Sequence, residues 1–197
     1  MGKTLVVAEK PSVARDLAAA LPGSFVQSKD KTHLSGDDHV ITWAVGHLVG
    51  LAEPDAYDPK LKKWRFADLP IVPDEFKLVP NDERSAKQLR AIHKLMADDE
   101  IERIVNACDA GREGELIFAY LYDLSKVKKP VDRLWLSSMT KKAIGQAFEQ
   151  LRPASQALTI RSISSSAISL WIAFSCFADR SSLGTSLNSS GMIGRSA

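Results

Sequence analysis

Short apolar runs alternate with amphipathic segments over the first 150 or so residues, and this alternation constrains the fold more than any other feature. Residues 3–8 form a β-branched run typical of a buried strand. Residues 83–97 place their apolar side chains on one helical face. Further strands are predicted at 39–45, 101–108 and 132–136. The order predicts an α/β domain, Rossmann-like, with a mostly parallel sheet flanked by helices.

Polar residues mark where the predicted helices begin and end. Ser12 is the predicted cap of the first helix, which ends before Pro22-Gly23. Thr140 is the predicted cap of the last helix, which has an apolar face of Ile144, Phe148 and Leu151. Between the second strand and the next helix, residues 53–82 are rich in Pro, Asp and Lys and predict an ordered excursion.

Composition excludes several function classes. Residues 1–154 carry equal numbers of basic and acidic side chains, so any contact with nucleic acid should use a local patch or a metal. The longest apolar run, 167–178, falls short of the about 20 residues of a membrane helix, so no membrane partner is expected. Two distant cysteines predict neither a disulfide nor a zinc site; Cys108 is expected to be a buried apolar residue in a reducing cytoplasm.

The character of the chain changes after Pro153. Of the 43 residues from Ser155 to Ala197, 13 are serine, and none is Lys, Glu or Tyr. Neither the strand period nor the helix period is sustained there. We expect one domain over 1–153, with the next helical segment beginning near 140–153, and a poorly ordered Ser-rich tail over 154–197.

Two acidic clusters follow predicted strands. Glu9 comes directly after the first strand, and Asp109, Glu113 and Glu115 come after a later one. If those strands are neighbours, Glu9 faces the Asp109 loop, because sites in open α/β sheets lie beyond the carboxyl ends of the strands. Crowded carboxylates need a proton or a cation, and an all-oxygen donor set suits Mg²⁺. The alternative is a solvated turn whose acids complement a helix dipole.

Several segments resemble type IA DNA topoisomerases of the topoisomerase III kind. The run Asp109-Ala110-Gly111-Arg112-Glu113-Gly114-Glu115 is similar to the Asp-x-Asp-Arg-Glu-Gly-Glu signature of their Toprim domains. Four other segments also resemble the family, and they occur in the family's order. They are residues 7–12 (Val-Ala-Glu-Lys-Pro-Ser), 46–48 (Gly-His-Leu), 67–73 (Ala-Asp-Leu-Pro-Ile-Val-Pro) and 134–140 (Leu-Trp-Leu-Ser-Ser-Met-Thr). The resemblance covers about residues 3–153 and implies a Toprim domain.

The resemblance implies a mechanism and a set of site residues. A tyrosine would attack single-stranded DNA and form a 5′-phosphotyrosine link; a strand would pass, and the break would be resealed without ATP. Glu9, Asp109 and Glu113 would be the metal ligands for Mg²⁺. Glu9 would also donate a proton to the leaving 3′ oxygen, and Lys10 would stabilise charge on the scissile phosphate.

The chain departs from the family pattern at two places. The second Asp of the signature falls at Gly111, which should weaken Mg²⁺ binding and leave one ion instead of two. The tyrosines, Tyr57, Tyr120 and Tyr122, all lie inside the Toprim stretch and match no family nucleophile. We therefore expect this polypeptide to be inactive alone, a truncated portion that lacks the gate domains of the full-length enzyme. The tail resembles nothing in the family, which suggests a frameshift, a disrupted gene or a fusion.

Four residues are candidates for contact with DNA, each with a plainer alternative. Lys10 would contact phosphate, or be a solvated turn lysine. Arg112 would contact phosphate or pair with an acid. His47 would contact DNA, although a structural histidine is the favoured interpretation. Trp64 stands among Lys60, Lys62, Lys63 and Arg65 and would stack on a base, although a ring buried under a solvated loop is favoured.

Three functions therefore stay open. The first is the Toprim portion of a type IA topoisomerase, separated from its nucleophile. The second is a stand-alone module that binds metal and nucleic acid without catalysis. The third is another Toprim enzyme of the primase or nuclease type, which residues 46–48 and 67–73 disfavour.

Overall fold

A computed structural model describes residues 2–153. The predictions for 154–197, including a poorly ordered tail, lie outside the described residues. The strands are β1 (Lys3–Ala8), β2 (Val26–Gln27), β3 (His33–Ser35), β4 (His39–Trp43), β5 (Val49–Leu51), β6 (Leu78–Pro80), β7 (Ile101–Ala107), β8 (Val131–Arg133) and β9 (Arg152–Pro153). The helices are α1 (Pro11–Ala20), α2 (Glu83–Ala97), α3 (Arg112–Ser125) and α4 (Lys141–Glu149).

The main sheet has seven strands in the order β2-β3-β4-β1-β7-β8-β9. The four central strands, β4, β1, β7 and β8, run parallel, and antiparallel pairings add β2, β3 and β9 at the edges. The predicted α/β class with a mostly parallel sheet is confirmed. The edge strands were not predicted, because two- and three-residue strands carry no readable alternation.

Helices cover both faces of the sheet, so β1, β4 and β7 contribute buried side chains to a core on each side. On one face Leu5 and Val7 belong to a core with side chains of α2 and α3. On the other face Val6 belongs to a core that includes Leu17 of α1 and Ile144 of α4. The alternation of β1 between the two cores explains why its sequence is continuously apolar.

The predicted boundaries of α1 and β4 were wrong. The N-cap of α1 is Lys10, not Ser12, because Pro11 occupies the first helical position, where its fixed φ and missing N–H suit the helix start. Strand β4 ends at Trp43 instead of 45, because Val45 adopts a left-handed φ of 57°. The cap at Thr140 is confirmed: its hydroxyl accepts the Ala143 N–H at 3.3 Å.

Residues 53–76 of the excursion belong to a different compact unit from the residues that form the sheet. It contains three short 3₁₀ turns, at Pro54–Ala56, Pro59–Lys63 and Phe66–Asp68. Within it, the Tyr57 and Phe76 rings meet edge to face. Across residues 2–153, no helix combines the length and the apolar character that crossing a bilayer requires.

Candidate metal centre

The carboxyl ends of the four parallel strands lie along one edge of the main sheet. Glu9 directly follows β1, and Asp109 stands two residues beyond β7. Strands β1 and β7 pair in parallel with Ala8 opposite Ala107, so these two acids leave neighbouring strand ends. Open α/β sheets form their ligand sites at such an edge.

Glu9 is a buried acid that contacts the Asp109 loop. Only 5 % of the residue is exposed. Its Oε2 faces the backbone N–H of Asp109 at a long 3.4 Å, and its Oε1 lies 3.0 Å from Lys10 Nζ. The predicted adjacency of Glu9 and the Asp109 loop is confirmed. The catalytic and ligand roles of these residues stay predictions.

The Lys10 ammonium lies 3.0 Å from Glu9 Oε1 at this edge of the sheet. Its hydrogen bond to Glu9 is the largest cause that holds the pKa of Lys10 above its usual value, and the charges of Glu9, Asp109 and Glu113 add to the effect. Lys10 is therefore protonated at neutral pH. Three carboxylates thus favour the charged form of one ammonium, and Glu9 contributes most.

The acids at the start of α3 face different surroundings. The Glu113 side chain is 71 % exposed, and its Oε1 lies 3.1 Å from His47 Nε2. The position of His47 is fixed through the backbone, because Gly46 N–H donates to Glu9 O at 3.2 Å and the Asn81 side chain donates to His47 O at 2.7 Å. Glu113 and His47 therefore lie at the solvent face of the strand edge.

Glu115 points inward and is bound by Arg133. Its Oε1 accepts from Arg133 Nε at 2.5 Å, and its Oε2 accepts from Asn106 Nδ2 at 3.2 Å. The Arg133 side chain is 1 % exposed, so this is a buried ion pair. Glu115 is thus engaged in the core, which agrees with its omission from the predicted ligands. The sequence did not predict the roles of Arg133 and Asn106. The one indication of the role of Arg133 was its charge inside a mainly apolar strand segment.

Two glycines in the acidic loop have opposite requirements. A Cβ on Gly114 would lie 2.3 Å from the carbonyl oxygen of Asp109, so only glycine lets the first turn of α3 pack against this loop. A Cβ on Gly111 would meet nothing within 4 Å, and its extended φ of −144° suits any residue. Glycine at 111 is therefore not demanded by packing.

The donor chemistry of this edge fits Mg²⁺. Glu9, Asp109 and Glu113 offer only oxygen, and magnesium sites use one or two carboxylates together with waters and phosphate oxygens. Within residues 2–153, however, no three His, Cys, Asp or Glu side chains stand close enough to hold one ion. The structure therefore suits a site that protein ligands complete only in part, in which Glu9 contacts the backbone of Asp109.

Two further candidates for DNA contact have distinct placements. Arg112 is exposed at the first position of α3, and its contact with phosphate stays a prediction. Trp64 is half-buried and belongs to the 53–76 unit. Its stacking role stays a prediction.

Cys108 lies beneath the Asp109 loop as a packing residue, as predicted. It is 3 % exposed, and its Sγ–H points to Val7 O at 3.7 Å. Burial raises the pKa of the Cys108 thiol to about 12, an effect that nearby Arg133 opposes. A thiol in this state is neither a nucleophile nor a metal ligand at neutral pH.

Comparison with known proteins gives consistent matches. The Toprim domain family matches residues 4–139. The chain is 45 % identical over 152 residues to the DNA topoisomerase 3 of Bacillus subtilis and 44 % identical over 153 residues to that of Bacillus cereus. These matches cover 77 % and 78 % of the chain but 20 % of each relative, so the chain spans about a fifth of their length. A full-length topoisomerase I from Thermotoga maritima aligns with a TM-score of 0.46 and 20 % identity, over 76 % of this chain and 21 % of that one. The last likeness is too weak to support an assignment.

Proposed function

The chain belongs to the Toprim domain family, and from that membership we propose that it is the metal-binding portion of a type IA DNA topoisomerase of the topoisomerase III kind. The complete enzyme would break, pass and rejoin one DNA strand through a 5′-phosphotyrosine without ATP. It would act in the cytoplasm on single-stranded DNA. The primase and nuclease alternatives lose support, because the matched relatives are named DNA topoisomerase 3.

One observation carries the proposal: Glu9 at the end of β1 contacts the backbone of Asp109 beyond β7, with the Lys10 ammonium among the carboxylates. A phosphodiester that approached this edge would meet Lys10, which is exposed and protonated. Its positive charge would stabilise negative charge that develops on the phosphate. Glu9, held beside Lys10, is the candidate proton donor to the leaving 3′ oxygen.

Glu9, Asp109 and Glu113 are the residues that would hold Mg²⁺. The bound ion would neutralise phosphate charge and fix the position of the DNA for rejoining. Exposed Arg112 would add a fork of donors for a neighbouring phosphate, and His47 would orient Glu113. These roles use only side chains that reach the strand edge.

The nucleophilic tyrosine would come from another part of a full-length enzyme. Tyr120 and Tyr122 belong to α3 and pack against the core, and the Tyr122 hydroxyl donates to Lys129 O. Tyr57 lies in the 53–76 unit. The partners required for activity would be the gate domains of a full-length enzyme. A stand-alone module that binds metal and nucleic acid is the second candidate, favoured by these tyrosine positions.

A chimera tests the topoisomerase assignment. Residues 2–153 would replace the matched segment of the Bacillus subtilis DNA topoisomerase 3, and relaxation of negatively supercoiled plasmid would be followed with Mg²⁺ present. We expect relaxation by the chimera and its loss on Glu9→Gln. A folded chimera that leaves the plasmid supercoiled would favour the stand-alone module.

The isolated chain supplies the complementary test. Incubated with single-stranded DNA and Mg²⁺, all 197 residues should give no covalent protein–DNA adduct on a denaturing gel. An adduct would mean that one of the three tyrosines acts as a nucleophile and would refute the need for gate domains.

A further inference from the structure

The guanidinium of Arg133 is buried between β8, β7 and the start of α3. It has five N–H donors in a planar fork. Four hydrogen bonds leave it: from Nε to Glu115 at 2.5 Å, from Nη1 to Asn106 O at 2.9 Å and Leu134 O at 2.7 Å, and from Nη2 to Asp109 O at 2.9 Å. One side chain thus joins β8 to β7, to the Asp109 loop and to α3.

Asp109 is held from both sides of its backbone. Its carbonyl oxygen accepts from Arg133 Nη2 at 2.9 Å and from Gly111 N–H at 2.8 Å, while its own N–H faces Glu9 Oε2 at 3.4 Å. The first turn of α3 adds a steric limit, since Gly114 touches the same peptide. The Asp109 main chain is therefore held by Arg133 together with the Gly111 N–H and Glu9.

We propose that Arg133 is a positioning residue for the cation site: by holding the Asp109 carbonyl and neutralising Glu115, it fixes the backbone that carries the Asp109 carboxylate beside Glu9. The inference rests on the proposed function, because it concerns the same site. Groups behind the direct ligands commonly set metal affinity in this way, since they fix ligand orientation. Glu115 is thereby the counter-ion of Arg133 and not a ligand.

The competing explanation is that Arg133 only stabilises the core. A purely structural role would lower the melting temperature without changing the affinity of the molecules that remain folded. A positioning role lowers affinity for a divalent cation in the folded protein. Affinity measured well below the melting temperature separates the two.

Arg133→Lys is the main variant. It keeps a positive charge beside Glu115 but loses the planar fork, so the bond to Asp109 O and the bond to Asn106 O are not both retained. The matched control is Arg103→Lys on β7, where the half-exposed arginine pairs with Asp132 at 3.3 Å. The probe is Mn²⁺, which prefers the same oxygen ligands as Mg²⁺ and whose free-ion paramagnetic resonance signal falls on binding.

With the 197-residue chain, we expect Arg133→Lys to bind Mn²⁺ about tenfold or more weakly and Arg103→Lys to match the unmodified chain. Arg133→Lys that is folded by circular dichroism and binds within twofold of the unmodified chain overturns the proposal. If the unmodified chain binds no Mn²⁺, the proposed function fails instead, so the two failures are distinct.

Two further measurements cover the case in which Arg133→Lys does not fold. The double variant Arg133→Met, Glu115→Gln removes both buried charges and should also bind Mn²⁺ about tenfold more weakly; unchanged binding overturns the proposal. Hydrogen exchange of the unmodified chain needs no variant. Peptides covering 109–115 should exchange as slowly as β7, and exchange as fast as an open loop would contradict a held Asp109.

Discussion

The backbone N–H of Asp109 points at Glu9 Oε2 from 3.4 Å, so the two acids that the proposed site requires are related through the main chain. This relationship follows from the parallel pairing of β1 with β7. It also means that a change in the Asp109 loop alters the surroundings of Glu9 directly.

Glu115→Gln should destabilise the chain by about 3 kcal/mol, because it leaves the buried Arg133 charge without its counter-ion. Urea denaturation followed by circular dichroism would measure the change in the free energy of unfolding. The control is Glu113→Gln, two residues away in the same motif but 71 % exposed, which should change that free energy by less than about 0.5 kcal/mol. Equal effects of the two variants would contradict the assignment of Glu115 to the core.

Gly114→Ala should destabilise the chain by about 1–3 kcal/mol, because the added methyl group would collide with the Asp109 carbonyl at 2.3 Å. The control is Gly145→Ala in α4, where a Cβ meets nothing within 4 Å. That variant should stabilise by about 0.5–1 kcal/mol through helix propensity. Thermal unfolding would show the opposite signs; a Gly114→Ala chain as stable as the parent would contradict the close packing.

Gly111→Asp should increase affinity for Mn²⁺ severalfold, because it would add a carboxylate where the structure leaves open space and the backbone is extended. Gly111→Asn is the isosteric, uncharged control. Both side chains suit the N-cap position of α3, so stability should not fall for either. The same Mn²⁺ affinity for both variants would mean that position 111 faces away from the ion.

Cys108 should resist alkylation across a wide pH range. In a Cys176→Ser variant, iodoacetamide should leave the folded chain unmodified at pH 8–10, because burial raises the pKa of the Cys108 thiol to about 12. The raised pKa also makes stability depend on pH, because the thiol ionises at a lower pH in the unfolded chain than in the folded chain. Its contribution to stability is full below about pH 9, the ordinary thiol value, and is lost as the pH rises towards 12. Rapid labelling at pH 8 in the absence of denaturant would contradict this burial.

The central strands and helices could be predicted from the sequence, because their apolar periods are long enough to read. The continuous apolar run of β1 and the helical face of 83–97 appear in the structure at Lys3–Ala8 and Glu83–Ala97. The acid pair at neighbouring strand ends followed from the same order, since parallel strands place their carboxyl ends on one edge. The local sequence pattern therefore predicted the strands and helices whose own residues determine their structure.

Local pattern failed where a distant partner decided the structure. Strand β8 was expected over 132–136 but runs from Val131 to Arg133, and the Arg133 side chain turns into the core to meet Glu115 on α3. No residue near Arg133 in the sequence indicates that Glu115 is its partner. The turn after β4 is set in the same way, because Gly46 N–H donates to the carbonyl of Glu9, just beyond the end of β1.

Mn²⁺ binding by the unmodified 197-residue chain and by its Glu9→Gln variant tests the whole account most directly. Resonance titration should show binding to the unmodified chain, a loss of about tenfold or more on Glu9→Gln, and no loss on Glu102→Gln, an exposed acid on β7. A chain that binds no Mn²⁺, or a Glu9→Gln variant that binds it as tightly as the parent, would contradict a divalent-cation site at the ends of β1 and β7.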